Sequence, residues 1–565
     1  MAALLSKAYE QMTKKPIRVA IFVDSMSQRA WVAKILNDIK DSDVADVHLV
    51  LKNKSLPKRK GFIRRLISGR NRIVYHLFTI IERKLSRITP NAFARTDVSD
   101  LLKNAKIFDV IPRRTRYSDY LTEDAKNLLE EFEIDVGLRF GFRILRGPIL
   151  EGPKYGIWSF HHGDNRVNRG GPPYLWELLT GEKTAGSILQ ILDNDLDGGK
   201  VLERTVTSIS SYSLTKTKNE IYWKSTRFVI SKLAELYHEG PEALQLYDIQ
   251  PDNFIYSAPL YRAPNNFAMS KLLVKWVLRI ISRRVASTIF NNQWFLLLST
   301  NTNLGQKGIS LFRLQELEPP KGHFWADPFP IFHEDKYYIF FEEFVYSENK
   351  GHISVMVLDN NGNVIETPKE ALNLGTHTSY PFIFKWEEDY YLLVENQSSG
   401  HIRAYKSVVF PFRWEPDRII MNNVVAADPT IFEHSGLWWM FLTLSQDIKL
   451  NNWDDLHLYF SESPLGPWKP HPKNPIKSDA RSARPAGKLF RYGGTVYRPS
   501  QDCSGTYGRA IVINRVNVMT PYDYNEEQVD IIEPLWRQGL TGTHTLNHTH
   551  NLTILDARKR KIKLF

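Results

Sequence analysis

His161 is the first residue of this 565-residue chain whose setting suggests chemistry. It lies in Gly156-Ile-Trp-Ser-Phe-His-His-Gly, and Arg169-Gly170 and then Leu196-Asp197-Gly-Gly follow. An imidazole titrates near neutrality and can take a proton from an attacking amine. An acid behind it, here Asp197, fixes its tautomer and stabilises its cation. The Ser159 hydroxyl can donate one hydrogen bond to a developing oxyanion. A histidine alone more often satisfies a structural need, so the reading rests on the three motifs standing in order. His162 is read as structural.

A second group of reactive residues recurs with a period. Pro328, Pro381, Pro429 and Pro485 lie roughly fifty residues apart, each after a small or polar residue and before a strand, a polar turn and an aromatic strand. Residues 542–557 form a fifth, degenerate copy. That period suits one four-stranded blade per repeat, hence a five-bladed β-propeller, with Trp294–Leu298 closing the ring. Asp327, Tyr380, Asp428 and Arg484 occupy equivalent blade starts, which face the central funnel of a propeller. They are expected, with His544, to meet a substrate. Asp327 and Asp428 could flank a glycosidic bond, a reaction that needs an acid and a base. Glu342, Glu343 and Glu395 qualify as further acids only if they reach the funnel. His544, His548 and His550 either converge on a metal or bond hub backbone; no metal is assigned.

These residues need two frames. Residues 17–23, the helical QRAWVAKILNDI and residues 46–51 give a β-α-β opening. Strands near 134–140, 156–161 and 186–192 continue it. The expected domains are an α/β unit over 16–240, a linker over 241–290 and the all-β propeller over 291–565. The turn Asp24-Ser25-Met26-Ser27 lacks glycine, so a dinucleotide fingerprint is excluded.

Charge is local. The segment 51–90 holds twelve Lys/Arg against Glu82, and 271–290 holds five without an acid. Together they exceed the net charge of +12, leaving the remainder slightly acidic. That argues against a nucleic-acid partner. The basic insertion 57–90 and the helix 271–286 read first as solvated basic helices, with peripheral membrane contact as the alternative. One cysteine, Cys503, excludes an intrachain disulfide and a cysteine-built zinc site. Without a secretory h-region or a spanning run, a cytoplasmic location is expected.

The stretch Tyr155–Leu202 resembles the core of the folate-dependent formyltransferases, with His161, Arg169-Gly170 and Asp197 in register. Ser159 stands where that family carries asparagine, and Gly186-Ser187 compress its Gly-x-Thr. The resemblance implies a Rossmann-like domain, 10-formyltetrahydrofolate as formyl donor, and an amine acceptor. It further implies that Phe140, Gly141, Phe142, Arg143, Ile144, Leu145 and Asp193 face the folate and that Arg169 meets the substrate. The repeats resemble five-bladed glycosidases and the N-terminal region of glucosamine inositolphosphorylceramide transferases. The pairing implies formylation of an amino sugar, sugar nucleotide or glycan. Two rivals remain: a glycan-binding protein with an inactive first domain, and a propeller glycosidase.

Overall fold

A computed structural model describes residues 14–55, 70–194, 199–244, 257, 259–300, 310–445 and 453–563. The chain forms two units. One comprises residues 1–205 and 209–278, the other 279–565 with Val206–Ser208. The division falls inside the helix Asn266–Ile289, within the stretch expected as a linker. Part of that stretch, 245–256 and 258, lies outside the described residues.

The first unit is built on a seven-stranded sheet. Its strands are β1 (Ile17–Val23), β2 (Ala45–Asn53), β3 (Lys106–Val110), β4 (Val136–Arg139), β5 (Ile157–His161), β6 (Thr184–Ile191) and β7 (Val201–Ser208). They lie in the order β7-β6-β5-β4-β1-β2-β3. The pairs β1·β2, β1·β4, β4·β5 and β2·β3 are parallel, and β5·β6 is antiparallel. IRVAIFV is apolar almost throughout because a parallel strand is covered on both faces. Helix α1 (Ala30–Lys40) buries Trp31, Val32, Ile35, Leu36 and Ile39, the spacing of one helix face.

The second half of the basic insertion is helix α2 (Ile73–Leu85); residues 56–69 lie outside the described residues. Only Glu82 of α2 is buried. Its carboxylate accepts from Thr215 N at 3.0 and 3.1 Å and from Ser213 Oγ at 2.5 Å, at the start of helix α3 (Leu214–Ser225). An anion at a helix N-terminus offsets the orphan N–H groups there. Thus the one acid of the insertion is what pins it. Helix α4 (Asn266–Ile289) joins from the other side. Asn266 Oδ1 accepts from Val74 N at 3.1 Å, and Trp276 meets Phe78 edge-on at 5.7 Å. Ile73, Leu77, Ile80, Ile81 and Leu85 stay exposed. No described helix is long and apolar enough to cross a membrane.

The second unit is a five-bladed β-propeller. Four successive sheets begin at His323–His333, Ser379–Trp386, Val425–His434 and Phe490–Tyr492. The fifth draws on both sequence ends of the unit: Phe290–Ser299 pairs with Leu552–Ile562 along ten residues, from Phe290↔Ile562 to Ser299↔Thr553. Residues 294–298 therefore lie in the closing strand, as the repeat pattern required. Each of the first three blades bulges at the same place, where Asp327, Tyr380 and Asp428 have φ of 50°, 50° and 53°. Side chains other than glycine, asparagine and aspartate rarely adopt such φ, so Tyr380 is held there by its surroundings.

Candidate functional site

In the α/β unit the site is centred on β5. Along IWSFH the residues alternate, Trp158 and Phe160 joining one core while Ser159 and His161 share the opposite face. Ser159 is paired in register with Arg139 on β4. Arg139 Nε donates to Ser159 Oγ at 2.9 Å, and its Nη1 donates to the carbonyls of Arg143 at 2.9 Å and Phe142 at 3.3 Å. The serine thus accepts from a guanidinium at its side, while its own hydroxyl lies 3.5 Å from the carbonyl of Phe160. This arginine was not singled out from the sequence, though its place in register with Ser159 could have found it.

His161 Nε2 lies 2.9 Å from the carbonyl of Asn168, in the loop that carries Arg169-Gly170. That loop is built tightly. Asn168 Oδ1 accepts from Gly170 N at 2.8 Å, and its Nδ2 donates to buried Glu177 at 3.0 Å. Arg169 Nε donates to Asn165 O at 2.9 Å. A Cβ on Gly170 would sit 2.2 Å from the carbonyl oxygen of Tyr261, so only glycine lets the two backbones meet. Asp164 in the same loop is held by Arg166 and Arg204; burial opposes its ionisation, yet the two guanidiniums keep its carboxyl below the usual range. Asp197 lies outside the described residues.

His162 forms a different wall. Its ring stacks on Tyr222 at 3.7 Å and meets Trp31 edge-on at 5.4 Å. Burial, then the neighbouring His161 and the charges of Arg29, Arg139 and Lys218, push its pKa well below 6.5.

The expected folate contacts divide. Phe142 and Leu145, expected at the folate, have their side chains buried in the core with Phe22 and Leu49. Arg143 is also claimed: its Nε and Nη2 donate to Asp119 Oδ1 at 2.9 and 2.6 Å. Gly141 serves close packing, since a Cβ would lie 2.4 Å from Asp24 N. Phe140 packs on Trp31 and Phe160, Ile144 is half-buried, and Asp193 is exposed.

In the propeller, a funnel of about 740 Å³ is lined by Asp327, Glu342, Glu395, Arg484 and His544, with Trp294, Phe324, Phe344 and Tyr507 among its rings. Arg484 joins two blades: its Nε reaches Asp428 Oδ2 at 2.5 Å and its Nη2 reaches Glu395 Oε2 at 3.0 Å. Although burial opposes it, Arg484 keeps Glu395 ionised below the usual range. Burial, reinforced by Asp327, Glu395 and Asp556, pushes Glu342 well above that range. His544 lies 2.5 Å from Asp556 and stacks on Trp294 at 4.1 Å; burial disfavours its cation, but Asp556 and Asp327 raise its pKa. Asp556 also accepts from Asp327 N, His544 N and Thr545 N. Ligand atoms of Asp327, His544 and Asp556 lie within 4.8 Å of one another, and these hydrogen bonds account for the cluster.

Two expected substrate residues sit elsewhere. Tyr380 is fully buried; its Oη accepts from Gly487 N at 2.8 Å and lies 2.7 Å from Thr430 Oγ1. Asp428 is enclosed by Arg484 and Gln501. Both brace neighbouring blades because the bulge turns them into the hub. Glu343 also leaves the funnel, bound by His323 and Ser354. Nor do the three C-terminal histidines converge: His548 meets Thr553, and His550 stacks on Phe332. Glu342 and Glu395, expected to qualify only if they reached the funnel, do line it; Asp556, on the strand Leu552–Ile562, was not singled out, and its pairing with the closing strand could have found it.

Residues 315–555 match the family model "Glucosamine inositolphosphorylceramide transferase 1, N-terminal". Glucosamine inositolphosphorylceramide transferase 1 of Oryza sativa subsp. japonica is 35% identical over 230 residues, 40% of this chain and 31% of that protein. Methionyl-tRNA formyltransferase of Clostridium beijerinckii is 27% identical over 171 residues, 30% of this chain and 49% of that protein. The chain thus spans about a third to a half of the length of these curated relatives. Glycinamide ribonucleotide transformylase 1 of Symbiobacterium toebii aligns over 40% of this chain and 89% of its own, at 16% identity and a TM-score of 0.27. The chain joins a formyltransferase-like α/β domain to a propeller similar to the transferase N-terminal region.

Proposed function

We propose that the α/β domain transfers a formyl group to the amine of an amino sugar. The observation that supports this most is His161, shared with Ser159 on one face of β5, beside the Arg139 guanidinium. 10-Formyltetrahydrofolate, when bound, supplies the activated formyl carbon. His161 takes the proton released as the amine nitrogen bonds to that carbon, and hands it to the departing nitrogen as its bond to the carbon breaks. Ser159, its oxygen held by Arg139, turns its proton toward the oxygen on which negative charge grows, a role that a single donor can make worth ~10²–10³ in rate. The neutral, stacked His162 and Tyr222 keep water from one side. Similarity to methionyl-tRNA formyltransferases supports the reaction class, and the propeller's likeness to a glucosamine transferase region supports a sugar as acceptor.

The test is mass-spectrometric detection of formylated product from nucleotide-linked amino sugars and 10-formyltetrahydrofolate. No product from any amino sugar with the unaltered chain would sink the reading.

A second reading concerns the propeller as a glycan site. The raised Glu342 and lowered Glu395 pKa values in one funnel are the separation that acid–base pairs need. Stacked Phe324 and Phe344, 4.6 Å apart, offer a sugar platform. Hydrolysis of oligosaccharides that survives both Asp327→Asn and Glu342→Gln would exclude this funnel as its source.

A further inference from the structure

A cleft of about 1230 Å³ lies against α2 in the first unit. Its lining includes Arg29, Arg72, Arg83, Arg95 and Lys218 against one carboxylate, Glu82. That carboxylate is already committed to the N-terminus of α3. The cleft is therefore positive, with five cations against one carboxylate that is already engaged. Lys218 is half-buried and forms no ion pair among the described residues; burial, then Arg29, lowers its pKa against the opposing charge of Glu82. An ammonium taken partly out of water without a directly bonded carboxylate favours the arrival of an anion.

The cleft also adjoins the transfer site. Phe93 in its wall packs on Tyr222 at 4.6 Å, and Tyr222 stacks on His162, the neighbour of His161. Arg29 lies over the Phe93 ring at 5.3 Å. On the other side Ile73, Leu77 and Ile80 expose 42%, 53% and 43% of their surface into or beside the cleft. Two surfaces therefore meet within reach of β5, one cationic and one apolar.

We infer that this cleft, built by the inserted helix α2, holds the diphosphate of the amino-sugar acceptor, which would put phosphate recognition in the α/β domain and not in the propeller. The inference rests on formyl transfer at His161 for the identity of the ligand as an acceptor. A carboxylate ligand would answer only one of the five cations, whereas a diphosphate bridges several through charge-assisted hydrogen bonds. The volume exceeds a monosaccharide and leaves room for what the diphosphate carries. That attachment is either a soluble nucleoside or a lipid, and the apolar residues of α2 would touch only the second.

Calorimetric titration of the full chain with UDP and with pyrophosphate tests the inference. Sedimentation with phosphatidylcholine vesicles, with and without a polyprenyl diphosphate, distinguishes the two sources. Lys218→Met should weaken binding about tenfold or more, the worth of one hydrogen bond to a charged group. Arg83→Glu on the exposed face of α2 should weaken it similarly without risk to folding, and added salt should weaken it further. UDP binding that both charge variants lose and Leu77→Ser keeps supports a nucleotide acceptor. Vesicle binding that needs the diphosphate lipid and falls in all three variants supports a lipid-linked one. Vesicle binding indifferent to the diphosphate lipid would overturn the proposal. So would the absence of binding to every probe, or binding unchanged in both charge variants. His161→Ala should bind these probes like the unaltered chain. Binding without formyl transfer would therefore refute the transfer reading and spare the cleft.

Discussion

His161 and Arg484 each stand at the centre of a polar cluster, but they are held in opposite ways. His161 takes its place from one strand and one loop carbonyl. Arg484 is enclosed by carboxylates from two other blades and is fixed by charge. The first arrangement holds an imidazole by a hydrogen bond to a backbone carbonyl. The second makes the charge itself part of the architecture, because Arg484, Asp428 and Glu395 come from three different blades and meet at the hub. A reactive group and a structural one can therefore look alike in sequence and differ in what surrounds them.

Altering each centre should separate the two. His161→Ala should lower formyl transfer by ~10²–10⁴ while the melting temperature stays close to that of the unaltered chain. Equal loss of stability would mean that the histidine is structural and the contrast false. Arg484→Met should do the reverse, destabilising the propeller by about 3–5 kcal/mol in denaturant titration, since Asp428 and Glu395 would be left buried without their cation. Gly141→Ala should destabilise the α/β unit by about 1–3 kcal/mol, because its new methyl meets the backbone of Val23 and Asp24. A neutral result would show that the turn after β1 can move, and with it the expected folate side.

The gentlest test is pH. Burial works against the Glu343 carboxylate, but hydrogen bonds from His352, Ser354, Trp325 and His323 bring its pKa down from 4.5 to about 2. A carboxyl with a lowered folded pKa binds fewer protons folded than unfolded, so its contribution is complete above 4.5 and is lost as pH falls toward 2. Thermal scans through that window should show Glu343→Gln converging with the unaltered chain as acid is added. A constant gap would place the loss elsewhere.

The propeller was legible because its signal is repeated: prolines, polar turns and aromatic strands recur, and one frame fits all copies. Its hub was less so. Tyr380 and Asp428 occupy the same place in the repeat as Asp327, yet whether that position meets the funnel depends on which neighbour fills the space, and Arg484 fills it for Asp428. In the α/β domain Ser159 and His161 were marked by their motif, and the strand's alternation explains why residues two apart share one face. The folate-side loop was less legible, because Phe142 and Leu145 are packed in the core and sequence does not distinguish an apolar ligand wall from an apolar interior. Arg143 shows the polar form of that ambiguity, since Asp119 comes from a distant part of the chain. Glu82 looked like a lone acid in a basic run, and its value as an anchor appears only once α3 is seen to begin beside it.

The fifth blade has a consequence for how the chain is made. Phe290–Ser299 emerges from the ribosome long before Leu552–Ile562, its partner along ten residues. Until then blades one to four can pair internally, but the strand at 290–299 waits with its hydrogen-bonding edge unclaimed. An edge so apolar is a template for pairing with other chains. The ring is thus vulnerable through most of its synthesis, and a premature stop beyond residue 546 would release a nearly complete propeller that cannot latch.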